Sequence, residues 1–284
     1  MSKFNKHIII VGSARSGTSW LCELLAKPYR YRLLFEPEHE FNTKEGHLLC
    51  DRWISDAQEA GKGHNYLKRV FLNRIDNNWI AQLSNRKWKR HLWPLIPKRF
   101  IIKFVRCNLA ANYINKTFKI PVIHIIRNPF DVIESQQRVR FPWLYDLSRF
   151  EKQKKLVTLL KEKYNFNLTN TVLLSDVEKL AVRWCLENIV TLDIYKNRNT
   201  NYKVVKFEAL RNDKQIYMNI CKEFNLQTLP DIDAVYENPS SKSHSRGLKG
   251  NKPQKISLNP EELESISAIL QTFNLDFYPI NKKK

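Results

Sequence analysis

The sequence predicts an α/β fold of three layers, a central and mostly parallel sheet of about five strands flanked by helices. Three observations carry that expectation. Short apolar runs alternate with longer amphipathic ones, the rhythm of strands joined by crossover helices. The runs "HIIIVG" and "VIHIIR" lack polar/apolar alternation, so both faces are expected to be buried, as in the middle of such a sheet. The first run leads into a glycine-bearing turn and then a helix, which is the local order of a phosphate-binding unit.

Taken in order, the strand candidates are His7–Val11, Arg32–Phe35, Phe100–Phe104, Val122–Ile126 and Lys203–Phe207. Helical periodicity falls on Gly17–Leu25, around His64–Leu83, and on Pro129–Arg138, Phe150–Tyr164, Asp176–Lys196 and Asp213–Phe224. A last helix is signalled by Asn259 as cap, Pro260 in the first turn and Glu261 and Glu262 at its positive end. Leu263, Ile266, Leu270 and Phe273 form its apolar stripe. The polar stretch Glu237–Gln254 reads as a surface loop or one ordered on binding, not a boundary, so residues 1–284 are expected to form a single domain.

Composition narrows the function classes. Hydrophobic content of 43% is ample for a packed core. The formal charge of +20 favours an anionic partner, although the basic residues are spread along the whole chain. That spread argues against a nucleic-acid-binding protein, which needs a basic stripe or a stacking platform. The five cysteines are scattered without a CxxC pair, which points to reduced thiols in a cytoplasmic protein and to no zinc site. No apolar run approaches a membrane span, so any membrane contact would be peripheral.

The loop in "HIIIVGSARSGTSWL" nearly matches the phosphate-binding pattern G-x-x-x-x-G-K-[ST]. Gly12, Gly17 and Ser19 fit, but Thr18 stands where the lysine belongs, and Arg15 supplies a cation three residues earlier. A strand, a tight turn and a helix N-terminus converge several N–H groups on one spot; hydroxyls of Ser13, Ser16, Thr18 and Ser19 add to them. Without the lysine that reaches the outer phosphates of a triphosphate, a small-molecule kinase reading weakens. A second constellation lies in "VIHIIRNPFDVIESQ": Arg127 ends a buried strand, and Ser135 follows eight residues later on a helix, where the two could share one phosphate.

Together these residues resemble a known family. "GSARSGTSWL" is similar to the 5′-phosphosulfate loop of sulfotransferases, in the arginine-bearing form of many carbohydrate and tyrosyl-protein members. "RNPFDVIES" resembles their 3′-phosphate motif, and "VVKFEAL" their later strand motif, with Phe207 and Ala209 replacing two of its residues. The resemblance implies a P-loop NTPase-like sulfotransferase fold, with 3′-phosphoadenosine 5′-phosphosulfate (PAPS) as co-substrate and no metal. It implies that Arg15, Ser16, Gly17, Thr18, Ser19 and Trp20 bind the 5′ end, and Arg127 and Ser135 the 3′-phosphate. Arg246 and Lys249 in "SRGLKGN" would add to the 3′-phosphate site, at a spacing that departs from the family pattern. Trp184 aligns loosely with a nucleotide-side helix, but core packing is its expected role.

Transfer to a hydroxyl needs a general base. "LLFEPEHEF" leaves the second strand at the sheet's C-terminal rim and offers Glu36, Glu38, His39 and Glu40. By resemblance Glu36 is the base, with Arg15 beside it at the transferred group and His39 as the alternative, a residue whose ordinary pKa suits neutral pH. Lys103 and Arg106 reach the same rim and could bind charge there, with a solvated surface position equally open to Arg106. His64, His91 and His244 are isolated and read as surface residues. The acceptor is expected to be a hydroxyl of a glycan or glycolipid. Its pocket would come from residues 44–95 and 141–171, with Trp53, Trp79, Trp88, Trp93 and Trp143 as candidates for stacking. The basic composition would suit an acidic glycan.

Overall fold

The computed structural model describes residues 4–75, 77–83, 99–195, 201–238, 240–241 and 257–280. Five strands form one sheet: β1 (Ile8–Val11), β2 (Tyr31–Phe35), β3 (Arg99–Lys103), β4 (Val122–Ile126) and β5 (Tyr202–Lys206). Their order is β2-β3-β1-β4-β5 and every pairing is parallel. The main helices are α1 (Thr18–Ala26), α2 (Lys62–Phe71), α3 (Ala111–Phe118), α4 (Pro129–Val139) and α5 (Lys154–Tyr164). They are followed by α6 (Asp176–Cys185), α7 (Phe207–Asn212), α8 (Lys214–Glu223) and α9 (Pro260–Thr272).

The period-two direction of strand side chains explains the layers. Ile8 and Ile10 share one face with Ile101, Ile123 and Ile125, packed with residues of α1 and α8. Ile9 and Val11 point the other way, into a core with Ile102, Val122 and residues of α2 and α3. Both faces are therefore apolar, which is why the strands show no alternation in sequence. A further helical core joins α4, α5, α6 and α9 through Phe130, Leu160, Trp184 and Leu270.

The strand order places the site. From β1 the chain crosses to β2, beyond β3; from β4 it leaves for β5 on the opposite side. The connections that leave the C-terminal ends of the paired strands β1 and β4 therefore diverge, opening the crevice where parallel sheets of this kind bind ligands.

Several boundaries differ from the sequence reading. The helix expected around His64–Leu83 stops at Phe71, because Asn73 turns to a left-handed φ of 52°; a separate turn, Asn78–Ala81, is capped by Asn77. The helix expected over Phe150–Tyr164 breaks at Gln153, whose side chain bonds instead to the Trp53 N–H and the Asp51 carbonyl. The helix opened by the Ser175–Glu178 capping box widens into a π turn at Leu186–Val190 and ends at Ile194. Phe207, read as a strand end, instead opens α7. All five cysteines are buried and unpaired.

Two histidines inside the fold make a prediction. Burial holds His124 near a pKa of about 4, and burial followed by Lys6 and Arg99 holds His7 near about 3, against 6.5 when unfolded. Between those values the unfolded chain holds these two protons and the native one does not, so the two histidines lower stability as pH drops from about 6.5 towards 4. Glu38 and Glu187, raised to about 7 chiefly by burial, act in the opposite direction. One such histidine contributes up to about 1.4 kcal/mol per pH unit, so denaturant melts of the wild type and of His124→Asn should differ in slope by about that amount across the range.

Candidate active site

The loop after β1 is tied down from four sides. Gly12, at φ 155°, lies so close to β4 that a Cβ there would sit 2.4 Å from the Ile125 carbonyl oxygen. Asn188, in the π turn, donates to the Ser13 hydroxyl at 2.8 Å, and Ser16 Oγ donates to the Ser13 carbonyl at 2.6 Å. Gln136 Nε2 donates to the Ala14 carbonyl at 3.0 Å, and Arg127 Nη1 to the Arg15 carbonyl at 3.1 Å. With carbonyls turned back into the protein, N–H groups are left for a ligand, and no side chain caps the start of α1. Gly17, at φ 94°, is required because a Cβ would meet the Phe207 ring at 2.2 Å.

The two phosphate elements read from the sequence meet here. Arg15 adopts φ 74° and its Nε donates to Ser135 Oγ at 3.0 Å, across 120 residues of chain. Arg127 stacks over Phe207 at 4.9 Å and keeps a buried Nε without a hydrogen-bond partner. Burial, and after it Arg127 and Arg138, push the Arg15 guanidinium below its ordinary pKa. Among the described residues Arg15 forms no ion pair, and Arg127 meets only the half-exposed Asp131, at 4.0 Å. Gly17, Thr18, Ser19 and Trp20 line the same cleft, of about 510 Å³. Ser16 is buried and engaged within the loop, and Trp20 Nε1 donates to the Tyr236 carbonyl.

The other end of the cleft is built from the exits of β2 and β3. Glu36, at φ 42°, donates its N–H to the Lys103 carbonyl, and its carboxylate pairs with Lys103 Nζ. Glu38 is buried; its Oε1 accepts from the Val105 and Arg106 N–H groups at 2.6 and 3.0 Å, while Oε2 has no partner. Burial, and after it Glu36, raise the Glu38 pKa to about 7. His39 is half-buried against the Trp79 edge, beside Asn42, and burial lowers its pKa. Arg106 is not on a solvated surface: it is bonded to Asp51 and Glu40 and lies 4.7 Å over Trp143. Asp51 also takes Arg183, which is fully buried, stacks on Trp143 from 5.4 Å and is partnered by Glu187.

The cleft thus brings together Arg15, Arg127, Glu36 and His39, with Phe141, Trp143 and Trp79 as walls from the two segments expected to form an acceptor pocket. Trp53 instead underlies Lys155, and Trp184 sits in the core, donating to the Arg127 carbonyl. His64 is half-buried and stacks on Phe118, contrary to a surface reading. Arg246, Lys249, His91, His244, Trp88 and Trp93 lie outside the described residues. Arg211, lining the cleft above Trp20, and the loop supports Gln136 and Asn188 escaped the sequence reading. Only Asn188, a polar residue inside the apolar run "CLENIV", carried a visible signal. Among the described residues no group of three His, Cys, Asp or Glu could hold a metal, and no helix is long and apolar enough to cross a membrane.

No family model and no curated protein matches the sequence. The chain is similar to solved sulfotransferases over nearly its whole length. A sulfotransferase from Alicyclobacillus acidocaldarius is 14% identical, with 96% of this chain and 93% of that one covered and a TM-score of 0.43. The sulfotransferase domain of the Synechococcus olefin synthase is 19% identical, with 95% of each chain covered and a TM-score of 0.44. A mouse sulfotransferase complexed with PAP is 13% identical, with coverage of 94% and 83% and a TM-score of 0.44. Likeness at this level says nothing of the reaction, which has to be argued from the residues of the cleft.

Proposed function

We infer that this chain is a single-domain sulfotransferase that moves a sulfuryl group from PAPS to a hydroxyl of a glycan or glycolipid. The observation that carries the reading is the meeting of Arg15, Arg127 and Ser135, where Arg15 has no ion-pair partner among the described residues and Arg127 only a half-exposed one, Asp131 at 4.0 Å. Arg127's buried, unpartnered Nε fits a phosphate oxygen as its acceptor. A triphosphate reading lacks its lysine, since Thr18 occupies that position, and the residue that follows β4 is Arg127 rather than a magnesium-holding acid. Five buried, unpaired thiols fit a reducing, cytoplasmic setting.

In this reading Arg15, Gly17, Thr18, Ser19 and the N-terminus of α1 hold the 5′-phosphosulfate, and Arg127 with Ser135 the 3′-phosphate. Ser16 acts by shaping the loop, through its bond to the Ser13 carbonyl. Trp20 and Phe207 offer an aromatic corner beside the loop. Arg15 stabilises charge developing on the leaving phosphate. Glu36 removes the acceptor's proton, and Lys103 holds the carboxylate in place.

Calorimetry with 3′-phosphoadenosine 5′-phosphate (PAP) against ATP tests the reading. PAP should bind without magnesium and more tightly than ATP; a preference for magnesium–ATP would overturn it. Arg127→Ala should weaken PAP binding by about tenfold to a hundredfold, the worth of a charged hydrogen bond.

A further inference from the structure

The cations of this strongly basic chain are not distributed evenly along the cleft. At the loop end, Arg15 is crowded by Arg127 and Arg138 and forms no ion pair among the described residues, the half-exposed Asp131 standing 4.0 Å from Arg127. At the other end every buried cation is answered. Lys103 pairs with Glu36, Arg106 with Asp51 and Glu40, and Arg149 with Glu40. Arg183 pairs with Asp51 and Glu187. Those four cations meet four carboxylates, and Glu38 is a fifth carboxylate with backbone N–H partners only. Trp79, Phe141 and Trp143 supply the rest of the wall.

We propose that Glu38 is a specificity-determining residue that makes the acceptor end of the cleft repel anions, so the acceptor is an uncharged hydroxyl compound with an apolar ring face rather than an acidic glycan. This rests on the sulfotransferase reading and narrows its acceptor. The mechanism is Coulombic: Glu38 is buried where water screens it little, so a carboxylate or sulfate on the acceptor meets an uncompensated charge of its own sign. The neutral ring loses nothing there and gains contact with the tryptophans.

Glu38 is faced by Glu36 on its own loop, Arg106 and Cys107 from the β3 exit, Tyr66 from α2 and Cys50. Burial pushes both thiols and the phenol upward, out of the neutral range, and holds His39 below its ordinary value. Between pH 6.5 and 8 the groups that gain charge near this wall are Glu38 and Glu187, both raised to about 7 chiefly by burial. Repulsion of an anionic acceptor should therefore grow as pH rises.

The probes are 4-nitrophenyl β-D-glucopyranoside and 4-nitrophenyl β-D-glucuronide, which differ by a hydroxymethyl against a carboxylate. Titrated into PAP-loaded protein at pH 8, the glucoside should bind about tenfold tighter. The ratio should shrink at pH 6.5, and Glu38→Gln should bring it within about twofold at pH 8. Equal affinities, a tighter glucuronide, or no binding of either to PAP-loaded protein overturns the proposal. If Glu38→Gln does not fold, the wild-type ratio at the two pH values decides alone. Failure of PAP itself to bind refutes the sulfotransferase reading, and this inference with it.

Discussion

Glu36→Gln is expected to lower the release of PAP from PAPS by about 10²–10⁴-fold, with 4-nitrophenyl glucoside as acceptor, while PAP affinity stays within about twofold. The amide keeps the size of the side chain and an oxygen for Lys103, so the β2 exit should hold its shape. What it loses is the ability to take a proton. The proposed donor contacts lie in the loop after β1 and just beyond β4, and do not involve Glu36. Turnover at the wild-type rate would remove Glu36 as the base and move that role to His39. His39→Ala is the paired measurement, and it should leave the greater part of the rate intact.

Asp51→Asn should destabilise the fold by about 3–5 kcal/mol, the usual consequence of leaving a buried charge without its partner. Asp51 Oδ2 takes the Arg106 Nε at 2.9 Å and Oδ1 takes Arg183 Nη1 at 3.1 Å, with almost no exposure on any of the three side chains. Asparagine retains the shape but not the charge, so two guanidinium groups would share only Glu40 and Glu187. A fall of about 10 °C in Tm is the expected reading by calorimetry or circular dichroism. A shift under about 2 °C would mean that water or a rearranged carboxylate compensates. Because Arg106 and Arg183 both lie over Trp143, the variant should also loosen that wall of the cleft.

What the sequence could show was what is local. The turn from β1 into α1, the exit of β4 through Asn128-Pro129, and the capped start of α9 are each written within about ten consecutive residues, where backbone preferences decide the outcome. Arg15 and Ser135 stand in two separate local motifs read as candidate phosphate elements for the same reason, although their contact spans 120 residues of chain. The Asp51–Arg183 pair has no such signature: 132 residues separate the partners, and charged residues mid-helix ordinarily face water. Arg106 was ambiguous because sequence gives the end of a strand but not the acids that later surround it. Helix breaks at Asn73 and Gln153 were missed because tertiary bonds and a left-handed turn, not apolar periodicity, set them. Phe207 continued a β-branched run in sequence, yet it opens a helix and packs against Gly17.

Arg15 and Glu36 both hold left-handed backbone angles, φ 74° and 42°, a region that suits glycine and costs an L-residue about 1–2 kcal/mol. Both line the cleft, each on the first stretch of chain beyond a strand. A chain selected for durability alone would drift to glycine at both places. Holding a guanidinium and a carboxylate there instead means that rigidity and reactivity pull against each other at these positions. Variants chosen only for heat resistance would therefore tend to erode the chemistry here first, leaving a sturdier protein with an empty gesture for a site.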